Sequence, residues 1–201
     1  MLIRLKLFLI LLAFFSLTAC KDLLSKPLAS ATVPDLPKPL VGDWLSEDNS
    51  KRLSITKVGG QDWYQFRYQE GSKETEGRFV VSYFKQRMVF NLNLATVRID
   101  NKPVINSDMP VYLLMGAIVD EENLQIAPAQ MDKFEKHFAD YFYASPIDTK
   151  TLCKQAASSC AESFTAGNLL LSKRLRKFND EFMKKYRTVF PRRDEVVFVR
   201  Q

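Results

Sequence analysis

Between residues 53 and 94 the chain repeats a period of two, which constrains its fold more than any other feature. Met88, Phe90, Leu92 and Leu94 alternate with Val89, Asn91 and Asn93. Tyr64, Phe66 and Tyr68 alternate with Gln65, Arg67 and Gln69. Leu53 and Ile55 alternate with Ser54 and Thr56, and Phe79, Val81 and Tyr83 keep the same rhythm. Successive side chains of a strand point to opposite faces, so each run predicts a strand with one face buried and one in water. Gly59 with Gly60, Glu70 with Gly71 and Ser72, and Lys85 with Gln86 separate the runs closely enough for a meander of antiparallel hairpins.

Further along, the period changes. Residues 111–119 are apolar on both faces, residues 120–123 read as a turn, and residues 124–126 return as a strand. Pro128 suits the first turn of a helix. Met131, Phe134, Phe138, Tyr141 and Phe142 then follow at three- and four-residue spacing, which predicts a helix with an aromatic stripe packed on the sheet. Residues 144–168 read as an irregular excursion. Ser172 is a candidate N-cap, and Leu175, Phe178, Phe182 and Tyr186 mark a second amphipathic helix. The helical insertion thus covers about residues 128–187, and the chain returns to strand over residues 195–200.

The first residues carry a different message. Arg4 and Lys6 precede an uninterrupted apolar run over residues 7–15, which is too short to span a bilayer as a helix and reads as a secretory signal covering residues 1–19. It ends in Leu17, Thr18, Ala19 and Cys20, which resembles the bacterial lipobox. The resemblance implies a diacylglyceryl group on the Cys20 sulfur, cleavage before it, and acylation of the new amine. The membrane is then a partner through that lipid, since each buried methylene contributes about 0.8 kcal/mol. Lys21, where the sorting pattern uses Asp for inner-membrane retention, implies an outer-membrane lipoprotein facing the periplasm. Residues 20–39 contain Pro27, Pro34, Pro37 and Pro39 and read as a lipidated tether that lifts a domain at residues 40–201 off the lipid surface.

An exported location is oxidising, so Cys153 and Cys160 are expected to form a disulfide. The short loop it closes adds roughly 2–3 kcal/mol at best. Charge is uneven along the chain. Residues 173–200 hold ten Lys and Arg against four acids, while the whole chain carries +6. Lys184, Lys185 and Arg187 on the second helix are the candidate basic contact face, suited to lipid phosphates or an acidic envelope protein. Nucleic acid is excluded as a partner for an exported chain.

Gly42, Asp43 and Trp44 resemble the Gly-x-Trp signature on the first strand of lipocalins and lipocalin-like lipoproteins. The strand and helix periods give a mainly β chain with two amphipathic helices, and the resemblance implies that its antiparallel meander closes into a lipocalin-like barrel, although that family carries a single late helix. It implies closure by Trp44 under a basic side chain from the last strand, Arg200, with Arg78 as the substitute. It also implies a small apolar or amphipathic ligand, such as a lipid, lined by Tyr64, Phe66, Tyr68, Met88, Phe90 and Leu92. The competing expectation is an interaction or assembly module in the envelope that uses the basic helix. Catalytic signals are weak. His137 is the one histidine, and the sequence has no Gly-x-Ser-x-Gly elbow, phosphate loop or His-Glu-x-x-His. The acidic run at residues 120–122 fits a turn better than a calcium loop, which needs alternating ligands around a glycine. The expectation is a non-enzymatic protein without metal or cofactor.

Overall fold

The structure is a computed structural model that describes residues 28, 40–59, 62–84, 87–106, 111–138, 141–146, 165–169 and 172–201. Alternation produces the expected hairpins: β1 (Gly42–Ser46), β2 (Lys51–Lys57), β3 (Trp63–Glu70), β4 (Lys73–Phe84) and β5 (Arg87–Ile99). The two-residue β6 (Lys102–Pro103) extends the edge of β5, and β7 (Tyr112–Val119) and β8 (Asn123–Pro128) complete the meander. The final strand, β11 (Val196–Arg200), pairs with β8 on one side and β1 on the other. Because β5 pairs with both β4 and β7, the result is a closed eight-stranded antiparallel barrel. Closure removes the open edges that would otherwise template aggregation. This is the mainly β barrel with two helices that the sequence led us to expect.

The helices lie on the outer wall. α1 (Met131–Phe138) and α2 (Ser172–Val189) bury Met131, Phe134, Phe138, Phe178, Phe182, Tyr186 and Val189 against the outward-facing Phe84, Val89, Tyr112, Leu114 and Ala127 of β4, β5, β7 and β8. That is why residues 111–119 are apolar on both faces: one face lines the interior and the other lies under helices. Gly116 lets α2 approach. A Cβ there would sit 2.5 Å from Phe190 Cγ and 2.7 Å from the Tyr186 hydroxyl. That hydroxyl lies 2.9 Å from the carbonyl oxygen of Met88 and 3.3 Å from that of Ala117, donating across the end of the β5–β7 ladder. Among the described residues no helix is long and apolar enough to cross a membrane.

Four local expectations are corrected. Pro128 ends β8 instead of opening a helix; Ala129 donates to the Leu114 carbonyl, so ladder pairing runs past it and α1 starts at Met131. α1 also stops at Phe138, so Tyr141 joins the aromatic cluster from beyond the helix, and Phe142 begins β9 (Phe142–Pro146). In place of a wholly irregular excursion, β9 pairs antiparallel with β10 (Thr165–Leu169), Phe142 opposite Leu169. Finally, Val89, Asn91 and Asn93 do not face water. Val89 and Asn91 are fully buried on the outer wall and Asn93 nearly so.

Candidate functional site

Strand alternation sends one residue in two into the barrel. β3 contributes Tyr64, Phe66 and Tyr68, β4 contributes Phe79, Val81 and Tyr83, and β5 contributes Met88, Phe90 and Leu92. All six residues expected to line a ligand therefore belong to one interior cluster. Phe79, absent from that expectation, is its centre: its ring lies 4.6 Å from Phe90, 5.3 Å from Tyr64 and 6.3 Å from Phe66. Offset and tilted pairs at such spacings add about 0.5–1.5 kcal/mol each beyond area burial. Gly77, at a register shift in the β4–β5 pairing, makes room for the Phe66 ring, because a Cβ there would lie 2.8 Å from Phe66 Cε1.

Trp44 is completely buried at one end of this cluster, and its indole nitrogen donates to the Leu40 carbonyl at 3.2 Å. The Arg200 guanidinium carbon lies 4.6 Å from the centroid of the Trp44 ring. Trp44 and Arg200 are also register partners across β1 and β11. Gly42 is needed beside them. Its φ of +147° disfavours any L side chain, and a Cβ would meet Arg200 Nη1 at 3.3 Å. Arg78 is exposed on β4, remote from this register, so Arg200 is the cation over the indole.

A polar network occupies the end where β1 meets β2 and β3 meets β4. Lys51 is buried 3.8 Å from Glu70, which also accepts the Tyr68 hydroxyl at 3.0 Å. Ser46 donates to Asp48 at 2.6 Å, and Ser50 donates to it from both hydroxyl and amide. Those hydrogen bonds hold the Asp48 carboxyl well below the usual carboxylate range.

The interior hydroxyls are kept neutral. Burial, reinforced by Asp62, pushes Tyr64 up to about 12. Burial and then Glu70 raise Tyr68, and burial and then Tyr64 raise Tyr83. Tyr83 is 6 % exposed, and its hydroxyl has no hydrogen-bond partner. It offers a buried donor to whatever enters beside it. The single histidine, His137, sits on α1 outside the barrel, 6.1 Å from the Phe138 ring.

On the expected basic face, Lys184 is exposed and Lys185 half-buried. Arg187 is drawn into an ion pair with Glu195, just before β11. Cys20, Cys153 and Cys160 lie outside the described residues; the latter two fall between β9 and β10 in the sequence. Comparison with protein-family models, with curated proteins and with solved structures finds no match to this chain.

Proposed function

We propose that this chain is a non-enzymatic envelope lipoprotein, anchored by lipid on Cys20, whose barrel holds one small apolar or amphipathic ligand. The observation that carries this reading is the accessibility of inward-facing side chains. Phe66, Tyr68, Val81, Leu92, Met115, Val119 and Val196 pack against the interior cluster yet remain partly accessible, and they come from five different strands. Apolar side chains left partly accessible on the inward face of the strands favour contact with an apolar ligand over contact with water. The placement of α1 and α2 on the outer wall supports the same reading, because neither helix fills the interior. Eight strands enclose space for about one such ligand. The unpartnered Tyr83 hydroxyl suits a ligand with a hydrogen-bond acceptor at one end.

The alternative, an assembly module acting through the basic helix, has less to draw on. Arg187 is already neutralised by Glu195, which leaves Lys184 and Lys185 to do the work. Native mass spectrometry of the protein extracted in mild detergent tests the choice. A one-to-one apolar adduct, displaced by added fluorescent fatty acid, is the expected result. A bare barrel that also fails to take up the fatty acid would overturn it. The anchor has its own test: Cys20→Ala should move the protein from the membrane to the soluble fraction, and a mutant retained on the membrane would sink that part of the reading.

A further inference from the structure

Residues 80–91 on the outer wall contain a second built site. Outward positions beneath the helices are apolar, as at Phe84, Val89 and Leu114. Ser82 and Asn91 are polar exceptions, 3 % and 0 % exposed on adjacent strands, as is Asn93 two residues further along β5. Ser82 is the register partner of Val89, and Asn91 that of Val80, so the two side chains are diagonal neighbours on the same face. Polar groups buried in such a place are costly unless each finds a partner. The Asn91 amide nitrogen donates to Ser82 Oγ at 2.9 Å and to the Val80 and Val89 carbonyls at 3.2 Å. Its oxygen accepts the backbone N–H of Leu28 at 2.8 Å, and the Ser82 hydroxyl donates to the carbonyl of that same Leu28. The Leu28 side chain is 3 % exposed within the aromatic cluster shared by wall and helices. One donor, one acceptor and one apolar pocket thus match the N–H, the C=O and the side chain of a single residue.

We propose that Ser82 and Asn91 form a docking site for Leu28 that leashes the barrel to its lipid anchor at short range. The leash part rests on the reading of Cys20 as the acylated residue; the docking part does not. The eight peptide steps from Cys20 to Leu28 reach at most about 28 Å when fully extended. Were Leu40 the first fixed point, the twenty steps from Cys20 would reach about 70 Å. Docking therefore turns a long tether into a short one and sets which wall of the barrel is nearest the lipid.

Hydrogen exchange on the full-length protein in detergent tests the docking. The Leu28 amide is expected to exchange roughly a hundredfold more slowly than in an unstructured chain, given one buried leucine and two hydrogen bonds. Leu28→Ser should abolish that protection, whereas Val41→Ser, at an exposed apolar position outside the site, should not. Ser82→Ala provides a second lesion on the wall side should Asn91 variants fail to fold. A Leu28 amide exchanging at the unstructured rate overturns the docking. Energy transfer from a dye on the exposed Asn49 loop to acceptor lipids in vesicles tests the leash: Leu28→Ser should change the transfer efficiency, and an unchanged efficiency overturns it. Failure of the protein to remain on vesicles at all would refute the anchor, with hydrogen exchange still deciding the docking.

Discussion

Arg200 stacks on Trp44, its guanidinium carbon 4.6 Å from the ring centroid, so the last strand of the barrel is clamped onto the first. The clamp joins residues 156 apart in sequence, and it works only because Gly42 leaves space for the guanidinium. Arg200→Ala is expected to lower stability by about 1–2 kcal/mol, the range of a desolvated cation–π contact. Trp44→Ala removes a fully buried indole and should cost about 3–5 kcal/mol. Thermal or urea unfolding measures both; a Trp44→Ala protein that melts like the parent would deny the residue its place in the core.

Gly116 should tolerate no side chain. The atoms that a Cβ would strike belong to Phe190 and Tyr186, both buried and fixed by ring contacts on several sides. Gly116→Ala is therefore expected to cost about 1–3 kcal/mol by overpacking. The near-ultraviolet circular dichroism of Tyr186 should change with it as α2 shifts on the wall.

Alkaline pH should unfold the barrel earlier than phenols of ordinary acidity would allow. Tyr64 has its folded pKa raised from 10.0 to about 12 by burial, so the folded state favours the protonated form. Its contribution is complete below pH 10 and is lost as pH climbs through 12. The amount at stake is about 2–3 kcal/mol. Tyr68 and Tyr83 shift in the same direction, again mainly through burial. Phenolate absorbance and ellipticity should therefore change together on titration, and Tyr64→Phe should flatten the fall in stability between pH 10 and 12. Phenolates appearing near pH 10 without unfolding would contradict the burial of these rings.

Tyr83→Phe makes an opposite kind of prediction. The hydroxyl is buried without a hydrogen-bond partner, so removing it should leave stability unchanged or raise it by about 1 kcal/mol. The same substitution should weaken the binding of a ligand whose acceptor reaches that hydroxyl. Differential scanning calorimetry with and without the fatty-acid probe separates the two effects.

The barrel was legible because alternation is a local signal. Tyr64, Phe66, Tyr68, Met88, Phe90 and Leu92 could be assigned to one face before any pairing was known, and their strands pair accordingly. The wet face was misread for a physical reason. Alternation separates two faces but does not say what covers the second, and Asn91 is covered by Leu28, 63 residues away in sequence. The length of α1 failed similarly: Tyr141 keeps helical spacing and packs with Phe138 and Phe178, yet the chain has already left the helix. The Phe79 ring at the centre of the site carries no distinguishing mark beyond its place in the period. Arg187, read as part of a contact face, is committed to Glu195 by a turn that spacing could not foresee.

The position of β11 has a consequence for how the protein reaches its native state. Until residues 196–200 are in place, β1 and β8 each present an unpaired edge, and the domain's most sequence-distant pairing is still unmade. Folds dominated by such long-range contacts acquire them slowly. A chain truncated before Val196 would leave both edges unpaired, open to pairing with other chains, and the five residues of β11 thus guard the whole barrel against aggregation.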